Sequence, residues 1–189
     1  MRWSQLKKRF QDTFAERVAG RVEVWATVYR GAPDEWGECW ITFDKKRILS
    51  LGDAAWQKVY YGEARNIQEE GQSQDYRDPE QREAYHAAYG GAEERATARS
   101  VFSPSHLKAA MADYLNLSVE EALASSDVLI KAFALLDRRF GKRRLMGFDP
   151  GLEHPLVVQF YEIRCEVEGI KPRRATDSGG GNYPLPPPS

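Results

Sequence analysis

The sequence predicts an α+β fold, in which an N-terminal helix precedes a short antiparallel three-stranded meander and a C-terminal bundle of three or four helices. Apolar residues have helical spacing at the start of the chain, alternate with a period of two up to about residue 51, and return to helical spacing after residue 103. A chain of 189 residues suits one domain, which we expect to span residues 1–170.

The first third of the chain is predicted to be a helix followed by the meander. Ser4 can cap a helix over residues 4–18, and Gly20 would end it. The alternating pattern predicts three strands, over residues 21–30, 39–43 and 47–51. Because the polar residues 44–46 separate the last two runs, we expect a tight turn there.

Residues 53–100 are predicted to be an acidic, partly mobile helical insertion. They hold ten acidic and six basic side chains. A short helix over residues 53–62 fits the few apolar side chains there. Gly90 and Gly91 are expected to interrupt a helix over residues 84–98, since glycine costs about 1 kcal/mol relative to alanine inside a helix.

The C-terminal helices have clear start and end signals. Four helices are predicted: one over Ser103–Leu115, a short one that a capping box opens at Ser118, one over Asp127–Arg139 and one over His154–Gly169. Gly141 is expected to end the third, which has the strongest apolar stripe. Residues 171–189 contain three consecutive glycines and five prolines, so we expect a tail that is disordered or locally in polyproline II conformation.

The composition excludes several classes of protein. No apolar run approaches the roughly 20 residues that a membrane span requires, and the charged start of the chain does not resemble a secretory signal. Cys39 and Cys165 are too few for a disulfide scaffold, which fits a reducing cytoplasm. The net charge of −1 removes overall charge as an argument for nucleic-acid binding.

The densest cluster of positive charge lies near the end of the third C-terminal helix. This basic cluster comprises Arg138, Arg139, Lys142, Arg143 and Arg144. One interpretation is that Arg138, Arg139, Lys142 and Arg143 bind an anion or a nucleic acid, with Asp137 orienting the arginines. The other is that these cations complement a helix C-terminus and pair with nearby acidic side chains.

A second candidate surface consists of aromatic residues on the predicted sheet. Trp25, Tyr29 and Trp40 fall on one face, with Arg21 and Arg30 at the ends of the first strand. Aromatic side chains on a sheet can stack with bases when cations flank them. A helix that packs on this face would instead place the rings in the core, and we favour this second interpretation.

Neither a metal nor a cofactor is expected. His86, His106 and His154 lie in separate segments without the close spacing of a metal site. Cys165 falls near the apolar stripe of the last helix, so a buried and unreactive thiol is expected there. No motif for a serine nucleophile or for a phosphate-binding loop occurs.

Several motifs resemble those of a family of uncharacterised bacterial cytosolic proteins. They are residues 1–7, 40–44, 114–117, 136–143 and 160–165. Together they frame residues 1–52 and 103–169, whereas residues 63–100 and the tail do not clearly match. The resemblance implies a bacterial, cytosolic origin and implies no activity.

We therefore expect a bacterial cytoplasmic binding or interaction protein without catalytic activity. Its partner is expected to be a macromolecule, a protein rather than a nucleic acid, and not a membrane. The oligomeric state stays open. One alternative is nucleic-acid or phosphate binding through the basic cluster, and another is a small hydrolase or nuclease with dispersed site residues.

Overall fold

The computed structural model of the chain describes residues 1–29 and 37–173. Its elements in chain order are α1 (Trp3–Gln11), β1 (Val22–Val28), β2 (Gly37–Phe43), β3 (Lys46–Gly52), α2 (Asp53–Glu70), α3 (Arg82–Ala98), α4 (Pro104–Tyr114), α5 (Val119–Ala124), α6 (Val128–Leu136), α7 (Lys142–Gly147) and α8 (Pro155–Glu168). This order confirms the predicted α+β class. None of the helices in the described ranges has the length and apolar composition needed to cross a membrane. Arg30 and most of the predicted tail lie outside the described residues.

The three strands form an antiparallel meander in the order β1-β2-β3, as predicted. Its register places Val24 opposite Ile41 and Cys39 opposite Leu51, so these apolar side chains share one face. That face is buried and meets α1 and α4. Asp44 has a φ of 47°, as the tight turn before β3 requires.

Helix α1 ends at Gln11, seven residues earlier than predicted. The following segment pairs with the chain beyond α6, because the N–H of Ala15 donates to Leu136 O at 2.9 Å and the N–H of Arg138 donates to Thr13 O at 2.9 Å. The apolar stripe nevertheless continues beyond the helix, with Phe14 buried in the core. Backbone pairing with a distant segment thus replaces the last helical turns.

The acidic region is helical, as predicted, and forms a long antiparallel hairpin of α2 and α3, in which α2 extends beyond the short helix expected over residues 53–62. Small side chains let the two helices approach closely, and the buried ones are Ala64, Ala88, Ala92 and Ala96. Gly90 and Gly91 lie inside α3 without interrupting it. A Cβ atom on Gly91 would lie 3.0 Å from Cδ1 of Ile67, so glycine permits the close approach.

The C-terminal helices show predicted capping features at their starts and ends. Ser118 and Glu121 form the expected capping box, and Gly169 ends α8 with a φ of 68°. Two boundaries differ from the prediction, since α6 ends at Leu136 and Gly141 caps the start of α7. The described residues therefore contain five helices after Ser103 rather than three or four.

Candidate functional site

The basic cluster spans the turn that follows the C-terminus of α6 and the short helix α7. Arg138 and Arg139 occupy the turn between α6 and α7, and Lys142 and Arg143 open α7. Cations at the start of a helix face the positive end of its dipole. The proposed dipole complementarity is therefore wrong for Lys142 and Arg143.

Asp137 is the centre of a buried polar network beneath this cluster. Its side chain is fully buried and accepts a hydrogen bond from the Tyr114 hydroxyl at 2.5 Å. Arg139 donates to the same carboxylate from its backbone N–H at 2.6 Å and from its Nη2 at 2.8 Å. The hydrogen bonds from Arg139 to Asp137 raise the pKa of this guanidinium above its ordinary value. Asp137 thus holds Arg139 and turns this arginine back onto the protein.

Two further cations of the cluster form ion pairs with the protein itself. Lys142 Nζ lies 3.1 Å from a carboxylate oxygen of Glu168, and Arg144 Nη1 lies 2.6 Å from one of Glu120. Within the described residues, Arg138 and Arg143 are exposed and have no carboxylate oxygen within 4.0 Å. These two arginines are therefore the members of the cluster that remain available to a ligand.

Arg164 is a structural cation that the sequence analysis missed. It lies within α8 at 3% exposure, donates to Leu136 O and Phe140 O at 3.0 and 3.2 Å, and pairs with Glu168 at 3.2 Å. Burial lowers its pKa, although Glu168 favours the charged form. A charged residue in an otherwise apolar helix stripe was the signal that could have revealed it. Arg164 holds the turn from α6 to α7 in place.

Trp25 and Trp40 stack on the outer face of the sheet and are not core residues. Their ring centroids lie 6.4 Å apart with an interplanar angle of 13°. Lys7 Nζ lies 4.1 Å from the Trp25 centroid, and Arg47 Cζ lies 4.3 Å from the Trp40 centroid. Trp25 is 40% exposed. The expected helical cover is absent from this face in the described part of the chain, because α1 and α4 pack on the other face.

Lys7, Trp25, Trp40 and Arg47 form a cation–indole row, in which part of each ring is already in contact with another side chain. Because β2 lies between β1 and β3, Arg47 reaches Trp40 from the side opposite Trp25. Each indole is therefore in contact with a cation and with the other indole. Tyr29 is 51% exposed on the same face, and its hydroxyl donates to Glu38 at 3.2 Å. Arg30, the remaining candidate of this surface, lies outside the described residues.

The structure brings together two histidines that the sequence analysis kept apart. His106 and His154 line an open cleft of about 700 Å³ between α3 and the starts of α4, α6 and α8. His106 Nε2 lies 2.8 Å from Asp127 Oδ2. His154 contacts Thr97 O through Nε2 at 2.9 Å and accepts from the N–H of Leu156 through Nδ1. His86 does not line this cleft.

The remaining sequence expectations concern metals and thiols. In the described ranges no three His, Cys, Asp or Glu side chains are placed to share a metal ion. Cys165 is fully buried, as expected, and burial raises the pKa of its thiol. Its sulfur is therefore unsuited to act as a nucleophile at neutral pH.

Comparison with known proteins identifies a family but no activity. No curated protein and no solved structure matches the chain. The sequence profile of the SF0329 protein family, an uncharacterised family, matches residues 2–165, which include the hairpin region that the motif resemblance did not cover. Because this match covers most of the 189 residues, the chain belongs to the SF0329 protein family.

Proposed function

We propose that this protein is a binding module that recognises a partner protein through the outer face of its sheet. The observation that carries the proposal is the row of Lys7, Trp25, Trp40 and Arg47, in which Trp25 and Arg47 are exposed and Lys7 and Trp40 are half-buried. Tryptophan and arginine dominate the energetics of many protein interfaces. Scattered exposed apolar residues are common, but two adjacent indoles framed by cations are a concentrated apolar and cationic surface.

The charges favour one class of partner. Lys7 and Arg47 frame the indoles, so a segment with apolar residues at its centre and acidic residues at its ends would complement the row. Stacked nucleic-acid bases fit less well, because a cation and the other indole already contact each ring. The partner proposed is therefore a protein.

Site-directed crosslinking in a lysate of the source cell tests the proposal. A photoreactive residue at Thr27, which is exposed on the outer face, is compared with one at Glu162, which is exposed on α8. We expect one or a few proteins to crosslink from position 27 alone and to be lost in W25A/W40A. Equal crosslinking from both positions, or crosslinking that survives W25A/W40A, would contradict the proposal. Thermal unfolding of W25A/W40A confirms that the fold is retained.

Nucleic-acid or phosphate binding remains the first alternative, and the exposed Arg138 and Arg143 favour it. Arg139 and Lys142 support it less, because internal carboxylates already hold them. Binding of labelled single-stranded RNA, measured by fluorescence anisotropy against salt concentration, tests this alternative. Affinity that falls steeply with salt, and is lost in R138E/R143E but not in W25A/W40A, would establish it.

Hydrolysis is the second alternative, favoured by the His106–Asp127 pair in the open cleft. A histidine oriented by a carboxylate can serve as a general base. A panel of simple esters and phosphate diesters, tested with the wild type and H106Q, examines this alternative. Hydrolysis by the wild type that H106Q lacks would support it, whereas equal rates would exclude His106 from the chemistry.

A further inference from the structure

A row of aromatic rings runs along one side of the α2–α3 hairpin. It comprises Trp56, Tyr60, Tyr89, Tyr85 and Tyr76 and is called the hairpin aromatic row here. Successive ring centroids are separated by 4.5, 5.9, 5.9 and 5.7 Å. Because α2 and α3 are antiparallel, the row extends from the sheet end of the hairpin to its tip.

These rings do not form the packing layer between the two helices. The buried residues of α2 and α3 themselves are alanines and Gln68, whose Nε2 donates to Tyr85 O at 3.2 Å. The row is half-buried, and Tyr76 at its tip is 48% exposed. Tyr61 contacts Tyr60 at a centroid distance of 5.2 Å and is itself 53% exposed. The row is therefore an aromatic surface open to a ligand.

The row combines flat apolar rings with hydroxyl groups. The hydroxyls of Tyr85 and Tyr89 lie 3.4 Å apart. Burial raises the pKa of Tyr60, so its hydroxyl remains a hydrogen-bond donor at neutral pH. Polyproline II segments bind to surfaces of this kind, because proline rings fit between aromatic side chains and their unpaired carbonyl groups accept hydrogen bonds.

The sequence of this chain contains a segment with the matching chemistry. Residues 183–188 read Tyr-Pro-Leu-Pro-Pro-Pro, and three glycines at 179–181 precede them. Proline restricts the backbone before binding, which reduces the entropy lost on docking, whereas a glycine run provides a flexible connection. The segment has no charged side chain, so its docking on the row buries no ionic group.

The course of the chain after α8 is compatible with this contact. The N–H of Arg173 donates to the hydroxyl of Tyr161 at 3.1 Å, and Arg173 lines a groove with Pro155, at the start of α8. His154, immediately before Pro155, contacts Thr97 of α3. Thr97 is about 12 Å from Tyr89 along the helix, and the ten residues from 173 to 183 span up to about 33 Å.

We propose that residues 183–188 dock on the hairpin aromatic row of the same chain in polyproline II conformation. This inference is independent of the function proposed for the outer sheet face. The docked segment would cover the largest aromatic surface of the hairpin. A competing proline-rich partner would then have to displace it.

Paramagnetic relaxation in the full chain tests this proposal. A spin label is attached to a cysteine introduced by S189C, while the buried Cys39 and Cys165 remain unlabelled. We expect amide signals near Tyr60 and Tyr89 to lose several-fold in intensity, whereas signals near Arg138 remain unchanged. P184A/P186A/P187A in the labelled chain is expected to restore the intensities. It alters no residue of the described structure.

Two further outcomes would overturn the proposal. The first is uniform intensity across the hairpin. The second is broadening of the hairpin signals in a mixture of two kinds of chain. In that mixture one kind carries the isotope without the spin label, and the other carries the spin label without the isotope. This would assign the occupant to a second copy. As a check on the surface, Y60A/Y89A is expected to abolish the broadening, and circular dichroism verifies that the helices persist.

Discussion

Arg139 folds back onto Asp137, two residues earlier, and donates hydrogen bonds from Nε and Nη2 to its carboxylate at 3.1 and 2.8 Å. This contact changes the meaning of the basic cluster. Arg139 neutralises a carboxylate that is fully buried and that also holds Tyr114. Arg139 therefore has a structural role in the cluster, whereas Arg138 and Arg143 remain exposed.

D137A is expected to destabilise the protein strongly. It leaves the buried Tyr114 hydroxyl without its partner, which costs about 1–3 kcal/mol for an unsatisfied polar group, whereas the Arg139 side chain is 45% exposed and can be rehydrated. Urea unfolding measures the loss against D113A, which removes an exposed carboxylate from α4. A loss no greater than that of D113A would mean that the network contributes little to stability.

Charge reversal is expected to divide the basic cluster into two groups. R138E/R143E should change the free energy of unfolding by no more than about 0.5 kcal/mol per site, as is usual at exposed positions. R139E should cost several times more, because it places a second carboxylate beside the buried Asp137. Equal effects in urea unfolding would contradict the division.

The His106–Asp127 pair is expected to make stability depend on pH. The hydrogen bond to Asp127 raises the pKa of His106. The contribution of His106 to the free energy of unfolding is therefore full below the ordinary pKa of histidine, and it is lost as the pH rises through the raised pKa. Burial alone would raise the pKa of Asp127, but the hydrogen bond from His106 contributes to a net lowering. The stability that Asp127 contributes is therefore lost as pH falls through its lowered pKa.

The measurement is the difference in unfolding free energy between the wild type and H106Q. We expect the unfolding free energy of the wild type to exceed that of H106Q by less at about pH 9 than at about pH 5. H86Q is the control, because His86 is exposed and does not line the cleft that contains Asp127. A difference for H106Q that is constant across this range would show that the pair contributes no proton-linked stability.

The adjacent glycines of α3 are expected to respond differently to alanine. No atom lies within 4 Å of a Cβ on Gly90, so G90A should stabilise the helix by about 1 kcal/mol. G91A should gain less, because Cδ1 of Ile67 would lie 3.0 Å from the new atom and would have to move. Thermal unfolding of the two variants tests this order, and a larger gain for G91A would refute it.

The two thiols are expected to be unreactive in the folded protein. Burial raises the pKa of Cys39 to about 11, and Cys165 is fully buried. A maleimide reagent at neutral pH should label both sites only after denaturation, because the thiolate is the reactive form. Mass spectrometry detects the labelled sites, and rapid labelling of the native chain would show that the core around them opens easily.

Local signals explain which elements could be predicted. The capping box of Ser118 and the left-handed Gly169 act within one turn of the chain, so their residues reveal them directly. The α2–α3 hairpin has no strong apolar stripe. It is held by alanine packing and by ion pairs between distant residues, such as Arg95 with Glu70 at 2.7 Å and Arg99 with Glu63 at 2.8 Å. The local composition therefore did not reveal how far α2 extends or that α3 continues through Gly90 and Gly91.

The candidate sites also depend partly on local geometry and partly on tertiary packing. The alternation in β1 and β2 correctly placed Trp25, Tyr29 and Trp40 on one face, because strand geometry alone determines that. Whether a helix covers the face depends on where α1 and α4 pack. Similarly, nothing in the local sequence around His106 and His154 indicates that one cleft joins them.

By itself, the sequence determined the α+β class, the meander and most helix starts, because capping, turn chemistry and hydrophobic periodicity operate over a few residues. Only the tertiary structure decided which cations are paired and which indoles are exposed. Those outcomes depend on side chains that are far apart in sequence, such as Lys142 and Glu168 or Lys7 and Trp25. How strongly a charged or aromatic side chain binds a ligand depends on whether another side chain of the same protein already contacts it.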